Sequence, residues 1–281
     1  MITRKEILKF SKEYGVPATT IDKDYVLGHI LSGIYNNHYL KEKLIFKGGT
    51  CLRKCYFKNY RFSEDLDFTV IQKIDKKKLN FNFKKIIRNI TSQTDILFGN
   101  YNITEILFRN KLMGYKFAIP FWGANHSKNI KPNLMQNLPK IKIDIISHEI
   151  IYFKVKQLKL IHPYSDILLN NNIVCYSIDE IISEKLRTIL QRSYSAPRDY
   201  YDLWFLLKNY SEFNSLTIKH AFIGKCNFKN VAFHNKNDFF NKDKLISCKR
   251  EWSNSLGNHL KKLPKFEVVI NELKNLISDI L

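Results

Sequence analysis

Asp65 and Asp67, two positions apart in SEDLDFTV, are the residues of this chain whose type and spacing point most directly to chemistry. Leu66, Phe68 and Val70 alternate with Asp65, Asp67 and Thr69, the two-residue period of a strand, so both carboxylates project from one face. Like charges held that close repel, and a divalent cation between them removes the conflict. Upstream, Leu44-Ile45-Phe46 reads as a short buried strand running into Gly48-Gly49, where no Cβ keeps the backbone from a ligand. A helix expected over Thr50–Phe57 follows directly, and helix N-termini offer unpaired N–H groups to phosphate. Downstream, Asp144 sits among Ile141, Ile143 and Ile145 in a second alternating segment, where a carboxylate without a partner is costly. With that strand beside the first, three carboxylates converge into a hard oxygen set suited to Mg²⁺ bound together with substrate phosphates.

Taken singly, each piece has an ordinary reading. Gly-Gly after a strand is usually a turn, a DxD on a strand can be a solvated sheet face, and Asp144 can be a salt-bridged carboxylate. The order carries the specificity: strand, Gly-Gly, helix, strand with DxD, later strand with a central Asp.

The elements that must position these residues follow from periodicity. Helices are expected over Thr3–Tyr14 and over a longer stretch through Ile34 with Thr20 as its N-cap. Strands are expected over Arg61–Ile71, Tyr101–Phe108, Leu112–Ile119 and Ile141–Ile146, the middle two as a hairpin around Arg109-Asn110-Lys111. A basic helix spans Lys76–Thr94, and a polar loop punctuated by Pro132 and Pro139 covers 121–139. Beyond residue 160 the strand signal fades, and Ser177–Ser193, Pro197–Tyr210, Ser215–Phe222, Asn237–His259 and Lys265–Leu281 read as helices. The fold class is α+β: a mixed sheet flanked by helices over 1–160, then a mainly helical domain over 161–281.

Composition narrows the class further. With 46 Lys+Arg against 26 Asp+Glu the formal net charge is +20, which favours polyanion partners unless it reflects coding bias alone. Seven basic residues lie between Lys73 and Arg88 and ten between Lys225 and Lys265. Lys76, Lys77, Lys78, Lys84 and Lys85 are therefore candidates for nucleic-acid contact. The 5 cysteines form no CxxC, so buried free thiols are expected rather than disulfides or structural zinc. No apolar run is long enough to span a membrane, and the start lacks an apolar leader, so a cytoplasmic protein with no membrane partner is expected.

The segment FKGGTCLRKCYFKNYRFSEDLDFTV resembles the nucleotidyltransferase superfamily that shares the DNA polymerase β palm, and its wording is similar to the AbiEii/AbiGii-type nucleotidyltransferase toxins. SEKLRTILQR and PRDYYDLWFLL resemble that family's later Lys and Arg/Asp helices. The resemblance runs from about residue 20 to about residue 210. It implies that Gly48, Gly49, Thr50 and Ser63 hold a nucleoside triphosphate, with Asp65 and Asp67 on Mg²⁺ and Asp144 as third carboxylate. It further implies that Lys185 contacts the triphosphate and that Asp202 completes the site from the helical domain. On this reading an acceptor hydroxyl attacks the α-phosphate of an NTP and pyrophosphate leaves. The implied acceptor is RNA, by family analogy a tRNA 3′ end. The implied setting is the toxin half of a type IV toxin–antitoxin or abortive-infection system, with a cognate antitoxin as partner. A protein acceptor, a nucleotide-binding module without turnover, and a basic nucleic-acid-binding protein or nuclease remain open.

Overall fold

The structure is a computed structural model of the 281-residue chain, describing residues 1–126, 138–166, 172–193 and 195–281. It divides into two compact units. The first takes Met1–Glu149 and Val155–Cys175, the second Ile150–Lys154 and Tyr176–Leu281. The sequence boundary at 160 falls inside the 155–175 segment, which stays with the first unit because its two short strands extend the sheet there.

In the first unit, Thr3 caps helix α1 (Arg4–Tyr14) by accepting from the Glu6 N–H, while the Glu6 carboxylate accepts from the Thr3 N–H at 2.8 Å. Helix α2 (Ala18–Asn36) starts earlier than expected, with Pro17 rather than Thr20 at the N-cap, and is buried on most of its surface. A short helix α3 (His38–Lys41) leads to strand β1 (Leu44–Lys47), then to helix α4 (Gly48–Cys51), which widens into a π-helical stretch over Leu52–Tyr56. Strand β2 (Asp65–Val70) is shorter than the expected 61–71 segment. Helix α5 (Lys76–Thr94) has the expected bounds because Asp75 caps it and Leu79, Phe83, Ile86 and Ile90 form one buried stripe.

Strands β3 (Leu97–Phe98), β4 (Thr104–Phe108), β5 (Lys111–Trp122) and β6 (Lys140–Ile146) follow, then β7 (Lys156–Leu158) and β8 (Ile173–Cys175). β4 and β5 form the expected hairpin, with Arg109 and Asn110 both at positive φ in a two-residue turn. The expected loop over 121–139 begins later, because Phe121 and Trp122 end β5. Its residues 127–137, Pro132 among them, lie outside the described residues. The strands form one mixed sheet in the order β3-β5-β6-β2-β1-β8-β7, with β4 on β5. β7 and β8 are too short for a two-residue period to announce them.

One face of this sheet is apolar. Leu66, Phe68, Phe117, Ile143 and Ile145 are buried there, and Phe83 of α5 meets Phe117 edge-on at 4.8 Å between ring centroids. Asp24 of α2 is fully buried. Burial opposes its charge, but Lys54 and Arg53, at 2.8 and 3.0 Å, outweigh that and hold its carboxyl well below the usual range. All five cysteines are free and buried, and the thiols of Cys51, Cys55 and Cys175 lie within 4.8 Å of one another.

The second unit is helical. Ser177 caps α6 (Ile178–Gln191), Pro197 opens α7 (Pro197–Asn209), and Asn214 caps α8, which runs from Ser215 to Lys229, past the expected Phe222. The single helix expected over 237–259 is interrupted. A 3₁₀ turn (Lys236–Phe240) ends at Asn241, whose side chain accepts from the N–H groups of Asp243 and Lys244 and so starts α9 (Lys242–Leu256) afresh. Helix α10 covers Phe266–Ser278. α6 packs on α7 and α8, and α7 on α9 and α10. Inside, Glu180 pairs with Lys225 at 2.5 Å and accepts the N–H groups of Tyr152 and Phe153 at 2.8 and 2.7 Å. Lys225, the first of the ten basic residues counted up to Lys265, is thus a buried structural cation.

Candidate active site

The site is built on the sheet face opposite α5. Lys47 on β1 is the register partner of Asp67 on β2, Asp67 that of Asp144 on β6, and Asp144 that of Lys116 on β5. Register partners share a face, so these four side chains form one row across four strands, spaced about 4.8 Å apart. Asp65, two residues before Asp67 and opposite Lys142, lies on the same face. The three sequence-predicted carboxylates are therefore neighbours. β2 and β6 run parallel, which puts Asp67 and Asp144 side by side.

The Gly-Gly turn sits at the end of this row. Gly48 has φ +82°, and a Cβ there would come within 2.6 Å of Asp67 Oδ2. Only glycine fits both the left-handed backbone and the contact. Gly49 is half-way into a short helix that no side chain caps at its N-terminus. Thr50 is buried and its hydroxyl donates to the Asp65 carbonyl at 2.5 Å, so it fastens α4 to β2. Ser63 is half-buried in the irregular stretch leading into β2.

Cations flank the carboxylates. Lys47 is buried and pairs with Glu149 at 3.4 Å, while Lys116 and Lys142 are exposed. Asp144 is open to solvent on one side, yet the surrounding sheet surface pushes its pKa up, and the Asp65 charge adds to that. Lys116, Lys142 and Lys47 oppose the rise. Carboxylates on one sheet face, with the Asp65 charge felt at Asp144, are hard oxygen donors of the kind a divalent cation takes.

Lys185 and Asp202 belong to the second unit, where they form a cluster of their own. Lys185 Nζ lies 2.6 Å from Asp199 and 2.8 Å from Asp202, and Arg192 closes on Asp199 at 2.6 Å. Asp202 is fully buried. Arg198 turns away, donating to the Ser255 carbonyl at 3.1 Å and lying 3.0 Å from His259 Nε2.

The basic helix does not join the carboxylates. Lys76, Lys77, Lys78, Lys84 and Lys85 are exposed, and Lys76 pairs with Glu105 at 3.2 Å. Their helix, however, packs by Phe83 on the apolar face, so they are not walls of the carboxylate site. The cations that do sit beside it, Lys47, Lys116 and Lys142, are ones the sequence reading does not single out. The signals were present: Lys140-x-Lys142-x-Asp144 alternates on one strand face, and Asp199 and Asp202 are three apart on one helix face.

Fold and family together define the class, a nucleotidyltransferase enzyme. The chain belongs to the family described as nucleotidyl transferase AbiEii toxin, type IV TA system, which it matches over residues 29–272. Among solved structures it is similar to MenT4, a nucleotidyltransferase toxin of Mycobacterium tuberculosis H37Rv. That match has a TM-score of 0.67 and 15% identity, over 100% of this chain and 91% of that one. JHP933 of Helicobacter pylori matches with TM-score 0.60 and 19% identity, over 94% of this chain and 93% of that one. A second H. pylori structure, a putative nucleotidyltransferase, gives 0.61 and 19% over 94% and 96%. At these identities the likeness establishes the fold. No curated protein matches the chain. Among the described residues no helix is long and apolar enough to cross a membrane.

Proposed function

We propose that this toxin-family enzyme is Mg²⁺-dependent and moves a nucleoside monophosphate from an NTP to an RNA hydroxyl, the 3′ end of a tRNA. The observation that carries the reading is the row Lys47–Asp67–Asp144–Lys116, with Asp65 on the same face and Gly48 against Asp67. Asp65 and Asp67 would hold Mg²⁺, which when bound offsets the charge of the triphosphate and of the reacting phosphoryl group. The backbone at Gly48 and Gly49 leaves room for the triphosphate, with Thr50 fixing the turn and Ser63 as a further ligand. Asp144, whose proton affinity is raised, accepts the proton of the acceptor hydroxyl. The new bond forms between that oxygen and the α-phosphorus. The bond from the α-phosphorus to the bridging oxygen breaks, and pyrophosphate leaves with the electron pair. Lys116 and Lys142 attract the RNA backbone, and Lys185 and Asp202 serve the transfer as the family resemblance implies. The enzyme works in the cytoplasm, where NTP and tRNA are found, and a cognate antitoxin restrains it.

The test is incubation of the purified protein with total RNA and each [α-³²P]NTP in turn, with Mg²⁺ or with chelator. Label should appear on tRNA-sized RNA with one preferred NTP, only with Mg²⁺. It should fall about 10²–10³-fold in the Asp65→Ala/Asp67→Ala variant, the equivalent of several kcal/mol of lost charge stabilisation. Undiminished labelling by that variant, label on protein, or shortened RNA would overturn the reading.

A further inference from the structure

A second group of metal-ligating side chains lies in the first unit and has no part in the chemistry above. It comprises His29 on α2 and His162 and Asp166 on the segment after β7. One ligand atom from each lies within 4.8 Å of the other two. Several polar atoms of the group are buried without a hydrogen-bond partner: His29 Nε2, both ring nitrogens of His162, and Asp166 Oδ1. Buried polar atoms without a hydrogen-bond partner are expensive, and four in one place call for a ligand. His29 is only 6% exposed. Its Nε2 stands 3.6 Å from Asp166 Oδ1, too long for a hydrogen bond. That separation suits two ligands of one ion, each bonded at about 2.0–2.2 Å.

The surroundings hold the ligands in place. The Tyr25 hydroxyl donates to the other Asp166 oxygen, Oδ2, at 2.5 Å, and the Met1 amino group lies 3.5 Å from it, which leaves Oδ1 for an ion. Gly28 makes room for His162: a Cβ there would clash with the ring's Nδ1. The segment is pinned on both sides of His162, by the Ile161 N–H to the Lys54 carbonyl at 2.7 Å and by the Tyr164 hydroxyl to the Asp24 carboxylate at 3.0 Å.

We propose that His29, His162 and Asp166 bind a divalent transition-metal ion, with Zn²⁺ as the representative, and thereby clamp the 161–166 segment to α2. Two imidazoles and one carboxylate suit Zn²⁺ or Fe²⁺ and disfavour Mg²⁺. Three protein ligands leave a position open. His29 and Asp166 also line a cavity of about 800 Å³ with Gly33, Asn36 and Lys85, from which water or a small anion can complete the shell.

The experiment is titration of metal-stripped, full-length protein with Zn²⁺ against a chromophoric chelator, together with thermal melting and Co²⁺ absorption. One Zn²⁺ per chain should bind, the melting temperature should rise, and Co²⁺ should give the visible bands of a four-coordinate site. Asp65→Ala/Asp67→Ala should keep all three responses. His162→Asn should lose them, and Tyr25→Phe, which keeps all three ligands, should weaken affinity about 10–100-fold. Absence of Zn²⁺ binding to the wild type overturns the proposal, as does its loss in the Asp65→Ala/Asp67→Ala variant. If His162→Asn fails to fold, the wild-type stoichiometry and the Tyr25→Phe shift decide.

Discussion

Asp67 and Asp144 are register partners on strands that run in the same direction, although α5, β3, β4 and β5 all lie between them in sequence. Parallel pairing sets the two carboxylates side by side on the face away from α5. Lys47 and Lys116 close the row at either end.

Gly48→Ala should act through Asp67. The added Cβ meets Asp67 Oδ2 at 2.6 Å and must also tolerate φ +82°. The backbone cost is about 1–2 kcal/mol, and the carboxylate has to swing aside to make room. A lower melting temperature, together with a raised Mg²⁺ requirement for transfer, is the expected pair of results. A variant that melts lower but keeps the wild-type Mg²⁺ dependence would separate Gly48 from the role proposed for Asp67.

The raised pKa of Asp144 has a definite sign. A carboxyl whose proton binds more tightly in the folded state stabilises the protein below its unfolded pKa, and that stability is lost as pH rises through the folded value. Asp144→Asn should therefore melt slightly higher than wild type at neutral pH, with the gap closing below the ordinary carboxylate range. Transfer should nevertheless fall. Melting curves from pH 3 to 8 in chelator, set beside single-turnover labelling, check both halves.

Charge reversals on the two faces should differ. Lys116→Glu with Lys142→Glu places acid beside the carboxylates and should reduce RNA labelling at least about tenfold, with a weaker salt dependence. Reversal of Lys76, Lys77 and Lys78 to Glu, on the helix that covers the other face, should change labelling less than threefold. Equal loss from both sets in RNA-binding and labelling titrations would place the acceptor path differently.

Lys185 holds two buried carboxylates, so its removal has a structural cost whatever its chemical role. Lys185→Ala should destabilise by about 3 kcal/mol, because Asp202 is left charged and fully buried. Asp202→Asn should cost less, since Lys185 keeps Asp199 at 2.6 Å. Denaturant unfolding measures both. Transfer by Lys185→Ala should be assayed well below its unfolding midpoint; wild-type rates there would remove Lys185 from the reaction.

The site was legible where one element carried the whole signal. DLDFTV announces a strand with two carboxylates on one face by its period alone, and α5 was readable to the residue because Asp75 caps a clean apolar stripe. Sequence also places Asp144 mid-strand among isoleucines. What it does not encode locally is which strand neighbours which and which helix covers which face. The lysines of α5 therefore read in sequence as neighbours of the site, while Lys47 and Lys116, joined to it only through register, do not stand out. The His29–His162–Asp166 group was invisible for the same reason, since its members meet only once the segment after β7 docks on α2.

The pairing of β2 with β6 also bears on when the protein can act during its own synthesis. Strand β2 leaves the ribosome long before β6, and a chain grows from its N-terminus one residue at a time. Until residue 146 has emerged and paired, Asp67 has no Asp144 beside it. Non-local parallel pairing is among the slower steps of folding. A nascent or prematurely truncated chain therefore carries the Gly-Gly turn and both leading aspartates without Asp144 beside them.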